Sequence, residues 1–347
     1  MSAINLGILG LGRAGYGMHC KELSKREDKF KIMAACDTEQ DRVDKMVEKY
    51  DCRGTTSIDE FLANEELEVV SIATRSPDHV EHALKVLAAG KIVFLEKPIS
   101  VTYEGALKLL QASKDFPSKL FLRHNRRFED GFQHIREIMV SGILGNVYEI
   151  KLHRHGYQRR NDWQTIIECG GGQLNNWGPH IIDHALQFLE SPVADMWSDL
   201  KKIAAVGDAE DHVNIWLKGE NKRVVNIEIS GGVTKGQPTY IVFGDRGSLV
   251  SDGNKFDLKY LDPKQELKET SAIAENPPLE GGFGNPEKLE WIEETIDVAP
   301  KAACNPSDIW DHLYKAIREE VPFPISIEEG VEVVRIADAA KQNSEFK

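Results

Sequence analysis

The sequence predicts an α/β protein in two parts: a parallel, doubly wound sheet first, then an α/β unit on a mostly antiparallel sheet. Three observations predict it. Up to about Arg123, short apolar runs alternate with amphipathic segments, the rhythm of strand–helix–strand units. Beyond that point apolar residues recur with period two between turn formers such as Gly219-Glu220-Asn221 and Gly244-Asp245-Arg246-Gly247. A glycine-rich turn, Gly10-Leu11-Gly12-Arg13-Ala14-Gly15, stands between the first apolar run and the first helical segment.

The elements follow in order. Ile4 to Leu9 reads as a buried strand, with a helix after the glycines through about Arg26. Phe30 to Cys36 is the second strand, Asp41 to Tyr50 and Ile58 to Asn64 are helices, and Val69 to Ala73 is the third strand. Ser76 is placed to cap the next helix, with Pro77 at its first position. Val80, Ala83, Leu84 and Leu87 share a face of that helix, and Gly90 supplies its left-handed stop. Ile92 to Leu95, Tyr103 to Lys114 and Leu120 to Leu122 complete the first unit as strand, helix and strand. After a helix near Phe132 to Val140 come strands at Val147 to Leu152, Val213 to Leu217, Val224 to Ile229, Tyr240 to Phe243 and Phe256 to Leu261. Helices interrupt at Gly178 to Leu189 and Ser307 to Glu319, and a last one opens on Ser326 and Glu329, spaced as a capping box.

The 347 residues suit two domains of roughly 150 each. We expect residues 1–122 as a dinucleotide-binding unit, 123–325 as a substrate unit, and 326–347 as a helix packing back on the first. A net charge of −13 opposes nucleic-acid and anionic-membrane partners. Five cysteines (Cys20, Cys36, Cys52, Cys169 and Cys304) without C-x-x-C spacing argue against a disulfide or zinc framework and fit a reducing, cytoplasmic setting. No signal-peptide pattern precedes the glycine turn, and no apolar run approaches the roughly 18 residues of a membrane span.

In the glycine turn the first glycine permits the bend, the second lets backbone approach a pyrophosphate, and the third lets helix and strand pack. The helix start, with Arg13 and Ala14, faces the phosphates. Asp37 ends the second strand about 20 residues on, as a ribose-binding acid should; it would also serve as an ordinary helix cap. Its carboxylate favours NAD, while Arg13 and Arg42 keep NADP open.

The next motifs carry a resemblance. Glu96-Lys97-Pro98 resembles the E-K-P signature of the glucose–fructose oxidoreductase and inositol dehydrogenase (Gfo/Idh/MocA) family. Thr74 with Pro77 and His79, Asn125-Arg126-Arg127-Phe128, Gly142 to Gly145, Gly170-Gly171-Gly172 leading to His180 and Asp183, and Gly244 to Leu249 agree with it in order over most of the chain. The resemblance implies a Rossmann domain and a second domain whose large open sheet mediates homodimers or homotetramers. It also implies NAD or NADP, a sugar or polyol substrate, and cofactor contacts from Thr74, His79, Glu96 and Lys97. Asn125 and Arg127 are placed near the nicotinamide by resemblance alone.

Lys97, held extended before Pro98 at a strand end, can set an ammonium beside a substrate hydroxyl; the plainer reading is a surface lysine. His180 is a natural base for a hydroxyl proton, and Asp183 can orient it or bind substrate; a helix-start histidine satisfied by a carbonyl is the plain alternative. His180, Asp183 and His184 could also be read as metal ligands, but the Pro179 helix start and the incomplete set argue for no metal. Inositol-dehydrogenase-like members carry an aspartate four residues before the histidine; here it is Asn176, which cannot exchange a proton. Arg154, His155, Tyr157, Arg159, Arg160 and Trp163 form a polar segment suited to sugar faces and carboxylates, or else a solvated loop. Cys169 has no partner histidine at a defined spacing. Three readings follow. The first is hydride transfer at a hydroxyl-bearing carbon of a sugar, polyol or sugar acid. The second is redox-neutral glycoside cleavage through a transient keto-sugar. The third is a non-catalytic NAD(H) sensor, which the presence of Lys97 and His180 places last.

Overall fold

β1 (Ile4–Leu9) is buried along nearly its whole length because it lies at the centre of its sheet. β2 (Phe30–Cys36), β3 (Arg53–Thr55), β4 (Val69–Ile72), β5 (Ile92–Leu95) and β6 (Leu120–Leu122) pair with it in parallel, in the order β3-β2-β1-β4-β5-β6. This is the Rossmann order, with its reversal between β1 and β4. The computed structural model describes residues 2–269, 271–272, 274, 287–298, 305–342 and 344–346; Cys304 lies outside them.

The glycine turn opens a wide helical turn over Gly15–His19 that runs into α1 (Cys20–Leu23), shorter than the sequence pattern suggests. α2 (Gln40–Tyr50), α3 (Ile58–Leu62), α4 (His79–Ala88) and α5 (Tyr103–Asp115) link the later strands. Ser76 does not cap α4: Ser76–Asp78 form a short 3-10 turn ahead of it, and no side chain caps the helix.

The second sheet is built from β7 (Val147–His155), β8 (Val193–Lys201), β9 (His212–Gly219), β10 (Val224–Ser230), β11 (Tyr240–Gly244), β12 (Gly247–Ser251), β13 (Lys255–Leu261) and β14 (Trp291–Asp297). Its order is β14-β13-β12-β11-β7-β10-β9-β8, antiparallel except where β10 meets β7. Alternation sends Ile150, Leu152, Val213, Ile215, Leu217, Val225, Ile227 and Ile229 into one core with α6 (Asp130–Val140) and α8 (Gly178–Leu189). A four-residue helix, α7 (Gln173–Asn176), precedes α8.

α9 (Ile309–Arg318) packs on the first core. Its Ile309, Trp310, Leu313 and Tyr314 pack into the first core, although the sequence pattern counts them with the second unit. α10 (Ile327–Gln342) opens on the expected capping box, in which Glu329 N–H donates to Ser326 Oγ and Ser326 N–H to Glu329 Oε2. It packs on both cores rather than on the first alone: Val331 and Val334 enter the first, and Val333, Ile336 and Ala340 the second.

Candidate functional site

The glycine turn is shaped by close approach. Gly10 sits at φ +92°, and a Cβ there would lie 2.6 Å from the Ala73 carbonyl carbon. A Cβ on Gly15 would collide with the Gly10 carbonyl, whereas one on Gly12 would meet open space. That pattern fits a dinucleotide, because only the second glycine must face a ligand. Asp37 holds the turn as well as ending β2: its carboxylate accepts from Leu11 N–H at 2.6 Å and Glu39 N–H at 3.0 Å, with Arg42 at 3.3 Å.

Behind the site lies a buried charged network. Glu96 Oε1 receives Arg123 Nη1 at 2.6 Å and His19 Nε2 at 2.8 Å. Arg123 and the Trp310 indole both donate to Glu22, at 2.5 and 2.6 Å. Burial pushes the Glu96 carboxyl up, but Arg123 and His19 outweigh it and hold it well below the usual range. Lys97 follows Glu96 directly in the bend after β5. Lys97 Nζ donates to the Asn176 carbonyl at 2.9 Å, joining β5 to the end of α7. Burial brings its pKa down to about 8, with Arg126 and Arg13 pushing the same way against Glu96.

His180, in the first turn of α8, is buried, and its Nδ1 has no hydrogen-bond partner among the described residues. Burial and then the Lys97 and Arg126 charges lower its pKa well below 6.5, so the ring is neutral at physiological pH. Asp183 does not orient it. Arg127 takes the Asp183 carboxylate through Nε at 2.8 Å and Nη2 at 2.6 Å, and also bonds Glu329 at 2.9 Å. His184 faces the Arg126 carbonyl at 2.9 Å and stacks on Phe132. The three side chains therefore diverge. Among the described residues no group of histidine, cysteine and carboxylate side chains is arranged for a metal ion.

Several of the expected cofactor and substrate residues bond other protein groups. The His79 ring lies between the Pro98 and Thr74 carbonyls, 2.7 and 3.2 Å away, is 1% exposed, and braces two loops. Thr74 Oγ1 is engaged by His82 at 3.0 Å. Glu96 and Arg127 are likewise bonded to protein partners. Tyr157 is exposed and bridges Gly232, Trp163 meets Arg75 from the first unit, and Arg160 bonds Asp162 and Gln164. Gln164 reaches the Asn176 side chain at 3.5 Å. Asn125 is buried in a 3-10 turn beside Arg126.

Four groups were not singled out from the sequence. Arg126 and Trp177 stand beside His180. His124 is buried, and neither ring nitrogen has a hydrogen-bond partner among the described residues. Glu210 accepts from Leu174 N–H at 2.8 Å, and a Cβ on Gly172 would collide with its carboxylate. The N-R-R run held the signal for Arg126, though spacing does not reveal which arginine is ion-paired; nothing marked Glu210.

Residues 4–124 match the family described as an oxidoreductase family with an NAD-binding Rossmann fold, Gfo/Idh/MocA, and residues 132–250 match that family's C-terminal domain. The chain belongs to the Gfo/Idh/MocA family. As a member it is an NAD(P)-binding oxidoreductase-family protein. A relative is scyllo-inositol 2-dehydrogenase (NADP(+)) IolW of Bacillus subtilis, 24% identical over 351 residues, covering 100% of this chain and 95% of that protein. Another is the 2,7-anhydro-N-acetylneuraminate hydratase of Escherichia coli, 24% identical over 258 residues, with 72% and 68% covered. An NAD-binding protein from Listeria innocua shares the fold at TM-score 0.82 and 22% identity, covering 99% and 98% of the two chains. Among the described residues no helix is long and apolar enough to cross a membrane.

Proposed function

We propose that this Gfo/Idh/MocA member transfers a hydride between a nicotinamide and a hydroxyl-bearing carbon of a sugar, polyol or sugar acid. The observation that carries the reading is Lys97: a lysine with a pKa of about 8, set at the carboxyl end of β5 and held against the second unit beside a neutral His180. The bound dinucleotide supplies the hydride acceptor or donor. Gly10, Gly12, Arg13, Ala14, Gly15 and Asp37 would hold it, and the second unit, with Asn176 and His180, would hold the substrate.

Proton exchange belongs to Lys97 more than to His180. A group whose pKa lies near the working pH gives and takes protons with least loss of driving force. Neutral Lys97 accepts the hydroxyl proton during oxidation; its ammonium returns it during reduction. The neutral His180 ring hydrogen-bonds the hydroxyl and fixes its direction. Asp183 supports α8 through Arg127 and takes no part in proton transfer.

The redox-neutral reading keeps a specific support: Asn176 where related dehydrogenases carry an aspartate, and a relative named as a hydratase. Oligomerisation through the second sheet is proposed from its exposed Trp197 and Trp291, 56% and 46% accessible, and light scattering tests it. The deciding experiment follows nicotinamide absorbance and product together across a sugar and polyol panel. Turnover with matching absorbance change, lost in folded Lys97→Met, supports the dehydrogenase. Product without absorbance change moves the assignment to the lyase. Full activity in Lys97→Met and His180→Ala removes both.

A further inference from the structure

Trp177 lies between α7 and α8, its ring 5.9 Å from that of His180. Two guanidiniums lie over its indole: Arg154, from the end of β7, with its central carbon 3.8 Å from the ring centroid, and Arg126, from the turn after β6, at 4.5 Å. Each contact is favourable alone, because a tryptophan face attracts cations. Together they gather like charges, and the basicity of Arg154 is lowered first by burial and then by Arg126.

The neighbourhood neutralises them only in part. Glu129 pairs with Arg126 and its charge also acts on Arg154, so one carboxylate faces two guanidiniums, and the Arg154 guanidinium itself makes no ion pair or hydrogen bond among the described residues. The other carboxylates close to the site are committed, Glu96 to Arg123 and His19, Asp183 to Arg127. Lys97 adds a further positive group, and Arg126 acts on both Lys97 and His180. A chain of net charge −13 thus concentrates cations where the substrate would sit. The dinucleotide phosphates do not account for this, because their place is the glycine turn with Arg13, on the first unit.

We propose that Arg126 and Arg154, gathered on Trp177, form an oxyanion-binding subsite, so that the substrate is an anionic sugar whose carboxylate or phosphate ester docks there while a hydroxyl-bearing carbon faces Lys97 and His180. The inference rests on the hydride-transfer reading above and narrows its substrate class. Forked guanidinium donors match both oxyanions with two parallel hydrogen bonds. A neutral polyol would leave the surplus charge uncompensated.

The test uses the full chain saturated with NAD⁺ or NADH, and calorimetry with D-glucose and D-glucitol as neutral probes, D-glucuronate and D-gluconate as carboxylates, and D-glucose 6-phosphate as a phosphate ester. Binding by one or both anionic classes and not by neutral probes is expected, weakening as salt is raised. Arg154→Met should weaken anion binding about tenfold or more, and Arg154→Lys should recover part of it. Dinucleotide affinity should change less than about twofold in both variants, since a tenfold change would be a full 1.4 kcal/mol. Equal binding of glucose and glucuronate, no binding of any anionic probe, or unchanged anion affinity in Arg154→Met overturns the subsite. A neutral sugar turned over in a Lys97-dependent way sinks the subsite and leaves hydride transfer standing. Loss of dinucleotide binding or indifference to Lys97 sinks the hydride-transfer reading, and anion titration without dinucleotide still reads Arg154.

Discussion

Lys97 Nζ donates to the main-chain carbonyl of Asn176 at 2.9 Å, so a lysine of the first unit is oriented by backbone of the second. The anchor is independent of the side chain at 176. It also fixes the ammonium where burial holds the pKa near 8. Oxidation needs the neutral amine, so its kcat/KM should rise with pH and level off above about 8. Reduction needs the ammonium and should fall over the same range. Lys97→Met should lose about 10²–10⁴-fold and flatten both profiles. A profile without an inflection between roughly pH 7 and 9 would contradict the assignment.

Asn176→Asp restores a carboxylate close to this lysine. An opposite charge nearby favours the ammonium. The inflection should move upward in pH, with the backbone anchor unchanged. The measurement is the pH profile of the variant against the parent; an unmoved inflection would place the side chain too far from Lys97 to matter.

Asp183 and Arg127 form a bidentate, buried pair, from which we predict a structural role for both. Arg127→Ala leaves a carboxylate uncompensated in the interior and should cost about 3–5 kcal/mol. Asp183→Asn should cost less, and the double variant less than the sum of the two. Chemical denaturation gives the cycle. If folded Asp183→Asn loses kcat selectively while stability is kept, Asp183 acts in the chemistry after all.

The central strands of the first sheet, β1, β4, β5 and β6, were legible because they are largely apolar, and some helix ends carry signals that read locally. Ser326 with Glu329 and Gly90 behave as their spacing says. Strands β3, β8, β12 and β14 were missed. β3 is Arg-Gly-Thr, and β14 is Trp-Ile-Glu-Glu-Thr-Ile-Asp, an edge strand held by pairing to β13 rather than by burial. Part of the local geometry was legible: the sequence pattern places Lys97 at the end of β5 and His180 at the start of α8, and both lie there. That Glu96, His79, Arg127 and Asp183 face protein partners depends on residues remote in sequence, such as Arg123 for Glu96 and Glu329 for Arg127. No local pattern encodes such pairings.

Asp37 carries a prediction about the choice between NAD and NADP. Its carboxylate faces the turn and would repel a 2′-phosphate, while Arg42 at 3.3 Å would welcome one. Asp37→Asn keeps an acceptor for Leu11 N–H and removes the charge. The ratio of NADPH to NADH affinity should rise about tenfold, or 1.4 kcal/mol. Arg42→Ala should move it the other way. Fluorescence titration with both reduced cofactors measures the ratio, and no change in Asp37→Asn would show that the carboxylate does not face the adenosine ribose.

Glu210 carries the last prediction. It is 3% exposed, accepts from Leu174 N–H at the start of α7, and lies near Lys341. Burial raises its pKa from 4.5 to about 7, the Leu174 bond and Lys341 opposing only in part. The folded state therefore binds this proton more tightly than the unfolded chain. Its stabilising contribution is complete below about pH 4.5 and is lost as pH rises through about 7. Glu210→Gln keeps an acceptor for Leu174 and removes the charge that must otherwise be buried. The variant should match the parent near pH 5 and exceed it at pH 8, by up to about 3 kcal/mol from the linkage relation. Thermal unfolding at the two pH values reads the difference. A variant less stable than the parent at pH 8 would mean that the Glu210 carboxylate is held charged by Lys341, and that α7, with the Asn176 carbonyl that orients Lys97, depends on that pair.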